Sequence, residues 1–525
     1  MDFIIVANAW GAGIDNPTSK HRIALELARQ GHRVLWVEGA GMRAPSVGSG
    51  PDRVRMIRKV IAACRGARQA GVQGSGFRVQ GPEGAPHQPS TINHELGTTN
   101  HEPGSAGIWV LSPLFVPAPK WPWVRWLNGV IGAWSARLWC TFLGFRQPVL
   151  INYVPVLAEV MRRWRRRVQG SQGRRQGSDS GARTTTNCEP GTANLEQQTK
   201  NQELRTKNPF VIYHCVDRWD AFKMYDSAVM AEMDRRCCRY ADLVVASSSE
   251  LYARCRQLNP NTHLVTHGVD HEHFARALAI RREEEAVPSA GNGLVELAPP
   301  GDRNDSGFWR RAELLRRRES GEAQAETDLA RPDDLPAGPI VGFFGLLSEW
   351  IDQDLLVRLA RELPAVRVIL IGKADVPVTA LQGLPNVALL GPRPFQELPR
   401  YLAWFDVGII PFVVNDLTRS VNPIKLREML SAGCPVVSTA LPEVEVFDGQ
   451  CGVSIGRTAE EFVSRVKDWL ACPATTEARQ EISRSMADET WEAKVACILK
   501  LCGCRPCCAS DQCGLGREVA RRNEA

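Results

Sequence analysis

The sequence predicts an α/β protein with two doubly wound parallel-sheet domains. Short apolar runs alternate with helical patterns in both halves of the chain, which is typical of sheets built from βαβ units. The 525 residues exceed what one hydrophobic core usually organises, and 44% of them are hydrophobic, enough for two cores. Long polar stretches that are poor in aromatic residues separate the apolar runs and predict insertions outside the two domains.

The first domain opens with a strand, a loop, a helix and a second strand. Residues 2–7 and 34–37 are apolar runs, and residues 19–30 repeat apolar side chains at helical spacing. The loop between the first strand and the helix contains Gly11 and Gly13, whose spacing departs from the G-x-G-x-x-G pattern of dinucleotide sites. The pattern predicts the first βαβ unit of a sheet without indicating a dinucleotide cofactor.

Polar side chains follow two later strands of the first domain. Asn152 and Tyr153 end the apolar run 148–153, and Asp217 ends the run 210–217. Ligands of open α/β sheets bind at the carboxyl ends of strands, so we expect these three residues to line a cleft. Asp217 and Asn152 are the candidate catalytic residues among them.

An aromatic segment and a basic run lie between these strands. Trp134, Trp139 and Phe142 fall on the helix predicted after Val124, and the run 162–167 contains five arginines interrupted by one tryptophan. Aromatic side chains beside Lys and Arg are typical of a membrane interface. A core helix with an ordinary apolar face explains the aromatic residues equally well, and a solvated flank explains the arginines. Both interpretations stay open.

Composition favours a cytoplasmic protein with an anionic partner. The net charge is +6, no nucleic-acid-binding motif is present, and we expect no nucleic-acid partner. The start lacks the basic leader and long apolar core of a signal peptide, and we find no apolar run long enough to span a membrane. Peripheral binding at the inner face of the cytoplasmic membrane is an open alternative.

The sixteen cysteines predict thiols rather than a disulfide framework. Six of them crowd the end of the chain, but their spacing C-x-C-x-x-C-C-x4-C matches no zinc pattern well. We expect poorly ordered thiols there and no metal site. The predicted division of the chain is a first domain at 1–280 with flexible insertions at about 66–107 and 168–208, a disordered linker at 281–337, a second domain at 338–488, a helix returning to the first domain at 489–503, and a disordered Cys-rich tail at 504–525.

Residues 420–439 carry most of the functional information. Asn422 is predicted to cap a helix with Pro423 at its first position, and a turn and a buried strand follow. A helix start offers unpaired N–H groups and a partial positive charge to an anion, of which phosphate is the commonest. Lys425 adds a full charge, and Glu428 could accept hydrogen bonds from sugar hydroxyls beside such a phosphate.

The pattern Asn-Pro-x-Lys-x-x-Glu-(x)4-Gly-x-Pro-Val-Val resembles the donor-binding segment of GT-B glycosyltransferases. The resemblance is strongest to retaining, family-4-like enzymes of teichuronic acid and other envelope polysaccharide synthesis. It implies two Rossmann-like domains facing across a cleft, with Glu428 holding the ribose of a nucleotide sugar. It also implies that the Gly11 and Gly13 loop faces the cleft, although a purely structural turn stays open. His267 replaces the Asn of an Asn-Gly-Val-Asp turn found in these enzymes, and we expect it on the acceptor side.

The chain departs from this family pattern in two places. The first acid of an E-x7-E motif would fall where this chain has Ser420, which weakens any proposal of a nucleophile. The loop that begins at Gly345 lacks the Arg and Lys that relatives use to grip the diphosphate. We expect backbone N–H groups of Val421 and Asn422 to help substitute for these bases. Gly345 and Ser420 are also expected to contact the donor. The candidate basic substitutes are Lys373, Arg393, Arg419 and Lys425.

The leading prediction is a glycosyltransferase that moves a sugar from a nucleotide-sugar donor to an envelope saccharide or lipid-linked acceptor, with retention. Lys425, with Asp217 and Asn152, completes the predicted catalytic set. The nucleotide sugar is a substrate, and no cofactor is expected. Two alternatives stay open: a binding or scaffold protein of the same shape that has lost its chemistry, and a sugar-nucleotide epimerase.

Overall fold

A computed structural model describes residues 1–8, 10, 17–39, 66–70, 107–116, 120–165, 210–285 and 331–503. The chain divides into two compact units. The first unit comprises Met1–Val265 and Val495–Ala525, and the second comprises Thr266–Lys494.

In the first unit, the described residues form an eight-stranded sheet with the order β3-β4-β2-β1-β5-β6-β7-β8. The strands are β1 (Asp2–Ala7), β2 (Arg33–Glu38), β3 (Arg68–Ala70), β4 (Gly107–Leu111), β5 (Val149–Asn152), β6 (Val211–Cys215), β7 (Leu243–Ala246) and β8 (Thr262–Leu264). All pairings are parallel except that of the short edge strand β3 with β4. Every residue of β1 is buried, as expected of a central strand covered on both faces.

Helices surround this sheet, and glycine sets one of their contacts. They are α1 (Ser19–Arg29), α2 (Pro122–Phe142), α3 (Ala158–Arg165), α4 (Ser227–Tyr240) and α5 (Ser249–Arg256). Asp226 caps α4 by accepting a hydrogen bond from the Val229 N–H. A Cβ at Gly129 of α2 would lie 2.4 Å from the Cβ of Glu159 on α3, so the missing side chain allows these helices to approach closely.

The second unit has a six-stranded, all-parallel sheet with the order β11-β10-β9-β12-β13-β14. The strands are β9 (Ile340–Phe344), β10 (Arg367–Ile371), β11 (Val387–Gly391), β12 (Val407–Ile410), β13 (Val436–Thr439) and β14 (Val453–Gly456). The order runs outward in both directions from the β9 and β12 pair, which makes the sheet doubly wound. The predicted fold class of both domains is therefore confirmed.

The helices of the second unit begin before the predicted domain boundary. They are α6 (His271–Glu285), α7 (Gln353–Glu362), α8 (Thr379–Gln382), α9 (Leu398–Leu402), α10 (Asp416–Arg419), α11 (Ile424–Ser431), α12 (Pro442–Glu445), α13 (Ala459–Ala471) and α14 (Thr476–Arg484). A last helix, α15 (Trp491–Leu501), begins in the second unit and belongs to the first unit from Val495 onward. Phe274 of α6 is fully buried, with its ring centroid 6.3 Å from that of Phe344 and 5.3 Å from that of Phe395. Residues 266–280, predicted for the first domain, thus belong to the core of the second.

Two predicted flexible segments contain ordered ends. Arg68–Ala70, inside the predicted insertion at 66–107, pairs with β4, and α6 extends into the predicted linker at 281–337 as far as Glu285. The rest of the first insertion between 71 and 106, the segments 168–208 and 286–330, and the tail at 504–525 lie outside the described residues. Within the described part of the chain, no helix is long and apolar enough to cross a membrane.

Candidate functional site

The strand order of the second unit marks a place for a ligand. Successive connections leave β9 and β12 in opposite directions, and ligands of such sheets bind beyond the carboxyl ends of the strands at this switch point. Phe344 ends β9 and is followed directly by Gly345. The Gly345 backbone has a φ of 147°, a conformation that residues with a side chain rarely adopt.

A second glycine holds the Gly345 turn against the neighbouring strand. The Gly345 N–H donates to the Ile371 carbonyl at 2.8 Å, and Ile371 ends β10 beside Phe344 in the parallel register. A Cβ at Gly372 would lie only 1.7 Å from the Gly345 oxygen. The two turns therefore pack in backbone contact, which only glycine at 372 permits.

The start of α11 contributes an ion pair to the same edge of the sheet. Lys425 Nζ lies 2.8 Å from a carboxylate oxygen of Glu428, one helical turn later, and Glu428 is buried. The Lys425 ammonium also lies 4.5 Å from the centroid of the Phe344 ring, and a Cβ at Gly345 would be 3.4 Å from Lys425 Cε. The structure thus brings together Gly345, Lys425 and Glu428, three residues that the sequence assigned to donor binding or catalysis.

The predicted cap of α11 is wrong. Pro423 occupies the N-cap position without a side-chain cap, and the buried Asn422 points its amide elsewhere. Asn422 Nδ2 donates to Glu443 at 2.8 Å, while Asn422 Oδ1 accepts from Arg427 at 2.7 Å. The Val421 N–H already donates to the Thr418 carbonyl at 3.1 Å, so it is not available to a phosphate in this structure.

Arg427, which the sequence analysis missed, anchors α11 to the rest of the unit. Its guanidinium is almost fully buried and donates to Glu489 at 3.0 Å as well as to Asn422. Glu489 in turn lies 2.8 Å from Lys494 Nζ. Burial raises the pKa of Glu489, but the Arg427 and Lys494 charges outweigh it and lower the pKa to about 2. Lys425 and Glu428 of the same helix are also charged, so no local signal in the sequence distinguished Arg427.

We expect Glu489 to make stability depend on pH. Its folded pKa lies below the unfolded value of about 4.3, so its contribution, on the order of 3 kcal/mol, is present above that value and lost as pH falls toward 2. The difference in unfolding free energy between wild type and Glu489→Gln, measured in urea, should shrink between pH 7 and pH 3. Glu477→Gln, which alters an exposed acid on α14, is the control. A difference that stays constant with pH would contradict the assignment.

The remaining predicted donor residues are less favourably placed. Ser420 is fully buried and its Oγ donates weakly to the Asp416 carbonyl at 3.4 Å, so its predicted contact with donor is not supported. Arg393 is held by Asp334 and by Tyr401, whose hydroxyl is 2.8 Å from Arg393 Nε. Lys373 and Arg419 are exposed, and Lys373 pairs with Asp375 at 3.1 Å.

Lys373 is near the Gly345 loop through its backbone, because its carbonyl accepts from the Leu347 N–H at 2.9 Å. His267 precedes a turn in the second unit that packs on the start of α15. Its ring centroid lies 6.1 Å from that of Trp491, and a Cβ at Gly268 would lie 2.7 Å from the Trp491 nitrogen. The predicted roles of Lys373 and His267 stay predictions.

At the carboxyl edge of the first unit's sheet, Asn152 and Tyr153 turn inward. Asn152 is fully buried, and its amide bonds to both the carbonyl and the N–H of Val154, at 3.1 and 3.2 Å. Tyr153 is equally buried, with its hydroxyl 3.0 Å from His214 Nδ1. The prediction that these two residues line a cleft is corrected, because their polar atoms stabilise the strand ends internally.

Asp217 is partly exposed and interacts with a lysine that the sequence analysis missed. Lys20, near the start of α1, is buried, with its ammonium 5.2 Å from the Trp219 ring centroid and 5.9 Å from that of Tyr153. Burial lowers the pKa of Lys20, and the Asp217 charge partly offsets this; burial raises the pKa of Asp217, and Lys20 partly offsets it. Within the described residues, the buried Trp219 Nε1–H has no hydrogen-bond acceptor.

The predicted glycine loop is only partly visible. Gly11 and Gly13 lie outside the described residues, so their predicted contact with donor or acceptor stays a prediction. Trp10 is buried, and its backbone N–H donates to Glu38 at 2.8 Å, which ties one point of the loop after β1 to the end of β2. No group of three or more His, Cys, Asp or Glu among the described residues is suited to holding a metal ion.

Comparison with known proteins finds a family match within the second unit. Residues 338–472 match the family model described as Glycosyl transferases group 1. A Bacillus subtilis (strain 168) protein, provisionally named teichuronic acid biosynthesis glycosyltransferase TuaH, is 35% identical over 109 residues. That match covers 20% of this chain and 28% of the relative, so the chain spans less than a third of the curated relative's length.

Two solved structures are similar over most of the chain. Sucrose-phosphate synthase (tll1590) from Thermosynechococcus elongatus aligns with a TM-score of 0.52 and 12% identity, over 95% of this chain and 98% of its own. Anabaena Alr3699/HepE in complex with UDP-glucose aligns at a TM-score of 0.48 and 10% identity, over 95% and 99%, too distantly to support an argument. The alignment with sucrose-phosphate synthase and the family match confirm the predicted GT-B fold and the resemblance to GT-B glycosyltransferases.

Proposed function

We propose that this protein transfers a sugar from a nucleotide-sugar donor to an envelope saccharide or lipid-linked acceptor, with retention at the transferred sugar. One observation carries the proposal: the ion pair of the partly exposed Lys425 with the buried Glu428 lies beside the Gly345 turn at the switch point of the second sheet. This pair falls inside residues 338–472, which match glycosyl transferases group 1. The donor is itself a substrate, so the proposal includes no cofactor.

Donor binding requires an acceptor of hydrogen bonds beside a site for phosphate. The Glu428 carboxylate can accept bonds from two ribose hydroxyls while it keeps its ion pair with Lys425. The Lys425 ammonium supplies positive charge for the diphosphate, and Gly345 leaves space where a side chain would approach Lys425. A positive charge and room for a phosphate thus occur together at the carboxyl end of β9.

The bond that breaks joins the sugar to the diphosphate, so negative charge develops on the departing phosphate oxygen. A fixed cation or N–H donor aimed at that oxygen contributes about 3 kcal/mol to lowering the barrier. Lys425 is the candidate for this role because its position is fixed by Glu428 and by the Phe344 ring. Ser420 offers no carboxylate and is buried, so we propose no covalent intermediate at that position. Retention then requires the acceptor oxygen to form its bond to the sugar on the face from which the diphosphate departs, as the bond between the sugar and the diphosphate breaks.

On the acceptor side we propose that Asp217 receives the proton of the acceptor hydroxyl. Its pKa is raised, which brings a carboxylate closer to the range useful for a general base. Lys20 and the Trp219 indole N–H would orient an acceptor oxygen beside it. His267, Gly11 and Gly13 are proposed as further acceptor contacts from the family resemblance alone.

Asp217→Asn should lower kcat by about 100-fold or more, because a general base typically contributes that much. The rate of wild type should rise with pH as Asp217 loses its proton, at a pH above the ordinary pKa of an aspartate, and the variant should lose this acid limb. Glu250→Gln, which alters a carboxylate paired with Arg218 nearby, should keep it. A pH–rate profile of kcat/KM is the measurement, and an unchanged limb in Asp217→Asn would refute the role.

The whole proposal is tested first by binding and then by transfer. Thermal shift with UDP-, GDP- and ADP-sugars should show stabilisation by one donor class, and that donor should then lose its sugar to an acceptor. Stabilisation without transfer would favour the binding or scaffold alternative, which Ser420 and the loop Gly345–Trp350, without Arg or Lys, support. Conversion of the donor without acceptor would instead indicate an epimerase.

We propose a cytoplasmic location for this reaction, with the protein bound peripherally at the inner face of the cytoplasmic membrane. A lipid-linked acceptor would be reached there. Separation of cytosol and membranes from the source cell, with and without a high-salt wash, is the direct test. Recovery of the protein in the cytosolic fraction alone, even without the high-salt wash, would contradict membrane binding.

A further inference from the structure

Helix α2 presents an exposed aromatic face. Trp123 is 57% exposed, Trp126 54%, Trp134 65% and Phe142 72%, and Trp121 just before the helix is 57% exposed. Single exposed apolar residues are ordinary, but a row of indole rings on one helix marks an interaction surface. Trp123, Trp126, Trp134 and Leu138 follow one another at intervals of three, eight and four residues, which places them on one side of the helix.

The opposite side of α2 explains why the large residues face outward. It is lined by small residues, among them Gly129, Gly132, Ala133 and Ala136, all buried. A Cβ at Gly132 would lie 2.9 Å from a methyl carbon of Val160 on α3, and the contact at Gly129 is tighter still. The space between this side of α2 and α3 is too small for an indole ring. The helix is therefore built with its bulky apolar surface directed away from its own unit.

Basic side chains lie beside this aromatic face. Lys120 is largely exposed, and the Arg163 guanidinium lies 5.1 Å from the Trp126 ring centroid. The sequence of α2 contains two arginines and no acidic residue. Of the acids on neighbouring elements, Asp226 pairs with Lys120 at 3.6 Å, and Glu159 pairs with Arg162 at 2.5 Å. These acidic side chains therefore form ion pairs beside the aromatic face of α2 and do not lie on it.

We infer that the outward face of α2 docks the protein on a membrane that contains anionic lipid. Tryptophan rings prefer the boundary between headgroups and acyl chains, and each nearby cation adds about 1 kcal/mol of attraction to an anionic surface. No described helix can span a bilayer, so α2 would lie in the plane of the interface, along about 30 Å. The inference deepens the proposed function, since it names the surface that would bring the first unit to a lipid-linked acceptor.

A second copy of the chain fits this face less well. In a symmetric dimer the same patch meets itself, so cations would approach an equivalent surface whose helix has no acid to pair with them. An anionic lipid surface, by contrast, complements both the cations and the exposed indole rings. Charge thus favours lipid over self-association.

Co-sedimentation of the full chain with phosphatidylcholine vesicles, with and without phosphatidylglycerol, tests the inference. Wild type should bind the anionic vesicles at least tenfold more tightly than the neutral ones, and high salt should weaken this binding. The variant Trp123→Ser, Trp126→Ser, Trp134→Ser should lose at least tenfold in binding to anionic vesicles. The matched control Val414→Ser, Val446→Ser removes exposed apolar side chains of the second unit and should bind like wild type.

Thermal unfolding and the donor-induced thermal shift, measured on the same samples, separate loss of fold from loss of docking. Equal vesicle binding by wild type and the tryptophan variant would overturn the inference, as would absence of binding by wild type. A concentration-dependent dimer that the tryptophan variant abolishes would assign the face to self-association instead. Lipid binding without any donor shift would count against the transferase proposal and leave the docking surface standing.

Discussion

Replacing Glu428 with alanine is expected to weaken nucleotide-sugar binding about 100-fold while the second unit keeps its fold. A hydrogen bond to a charged group contributes about 1.5–3 kcal/mol, and tenfold in affinity corresponds to about 1.4 kcal/mol. Losing the hydrogen bonds from two ribose hydroxyls to one carboxylate is enough to account for the expected 100-fold loss of affinity. Glu428 is nearly buried and its described partner is Lys425, so the variant removes one ion pair and no apolar packing of the core.

Calorimetric titration of donor into wild type, Glu428→Ala and Glu428→Gln measures this loss directly. The glutamine variant should be intermediate, because its amide oxygen still accepts a hydrogen bond while the ion pair with Lys425 is gone. Glu362→Ala, which removes a surface acid paired with Arg358 and Lys467 in the same unit, serves as the matched control and should bind donor normally. Donor binding that survives in Glu428→Ala would refute the assignment of this carboxylate.

Residues 420–439 show how far local sequence reasoning reaches. The helix and strand of residues 420–439 were predicted, because capping, glycine and proline signals are local. The partners of Asn422 and Arg427 were not, since Glu443, which bonds to Asn422, and Glu489, which bonds to Arg427, come from segments that follow later in the chain. An Asn before a Pro is a typical helix cap in a sequence. Here the side-chain oxygen of Asn422 instead accepts a hydrogen bond from the buried Arg427.

The carboxyl edge of the first sheet shows the same limit. The strands and the polar residues after them were predicted, but which side chains face outward depends on packing across the fold. Asn152 turns inward because its amide meets Val154, Met161 and Cys237, the last of which belongs to α4. Lys20 escaped notice because a lysine on an amphipathic helix usually points to solvent. Its burial becomes apparent only when β5 and β6 are placed beside α1.

The sequence of α2 could not show which side of the helix faces outward, because both of its sides are apolar. Periodicity separates an apolar side from a polar one, but α2 instead opposes small residues to aromatic ones. The membrane and core interpretations were therefore equally compatible with the pattern. The structure decides the direction of the rings, because the glycines and alanines lie against α3.

Gly372→Ala is expected to destabilise the second unit by at least about 4 kcal/mol and to abolish donor binding in any molecules that fold. The alanine would have to keep a φ of 150°, and its Cβ would meet the Gly345 oxygen at 1.7 Å. The obstacle is backbone, which cannot swing aside like a long side chain. Relief requires the turn after β9 to move away from the turn after β10.

That movement links stability to function, because the displaced turn is the one that faces Lys425. Urea unfolding should show loss of the transition of the second unit, or its shift to lower urea, with the first unit unaffected if the two unfold separately. Gly383→Ala is the matched control: it has no positive φ, and nothing lies within 4 Å of its added Cβ. Wild-type stability and donor affinity in Gly372→Ala would show that the two turns are not in contact, and would remove the structural basis for placing phosphate beside Gly345.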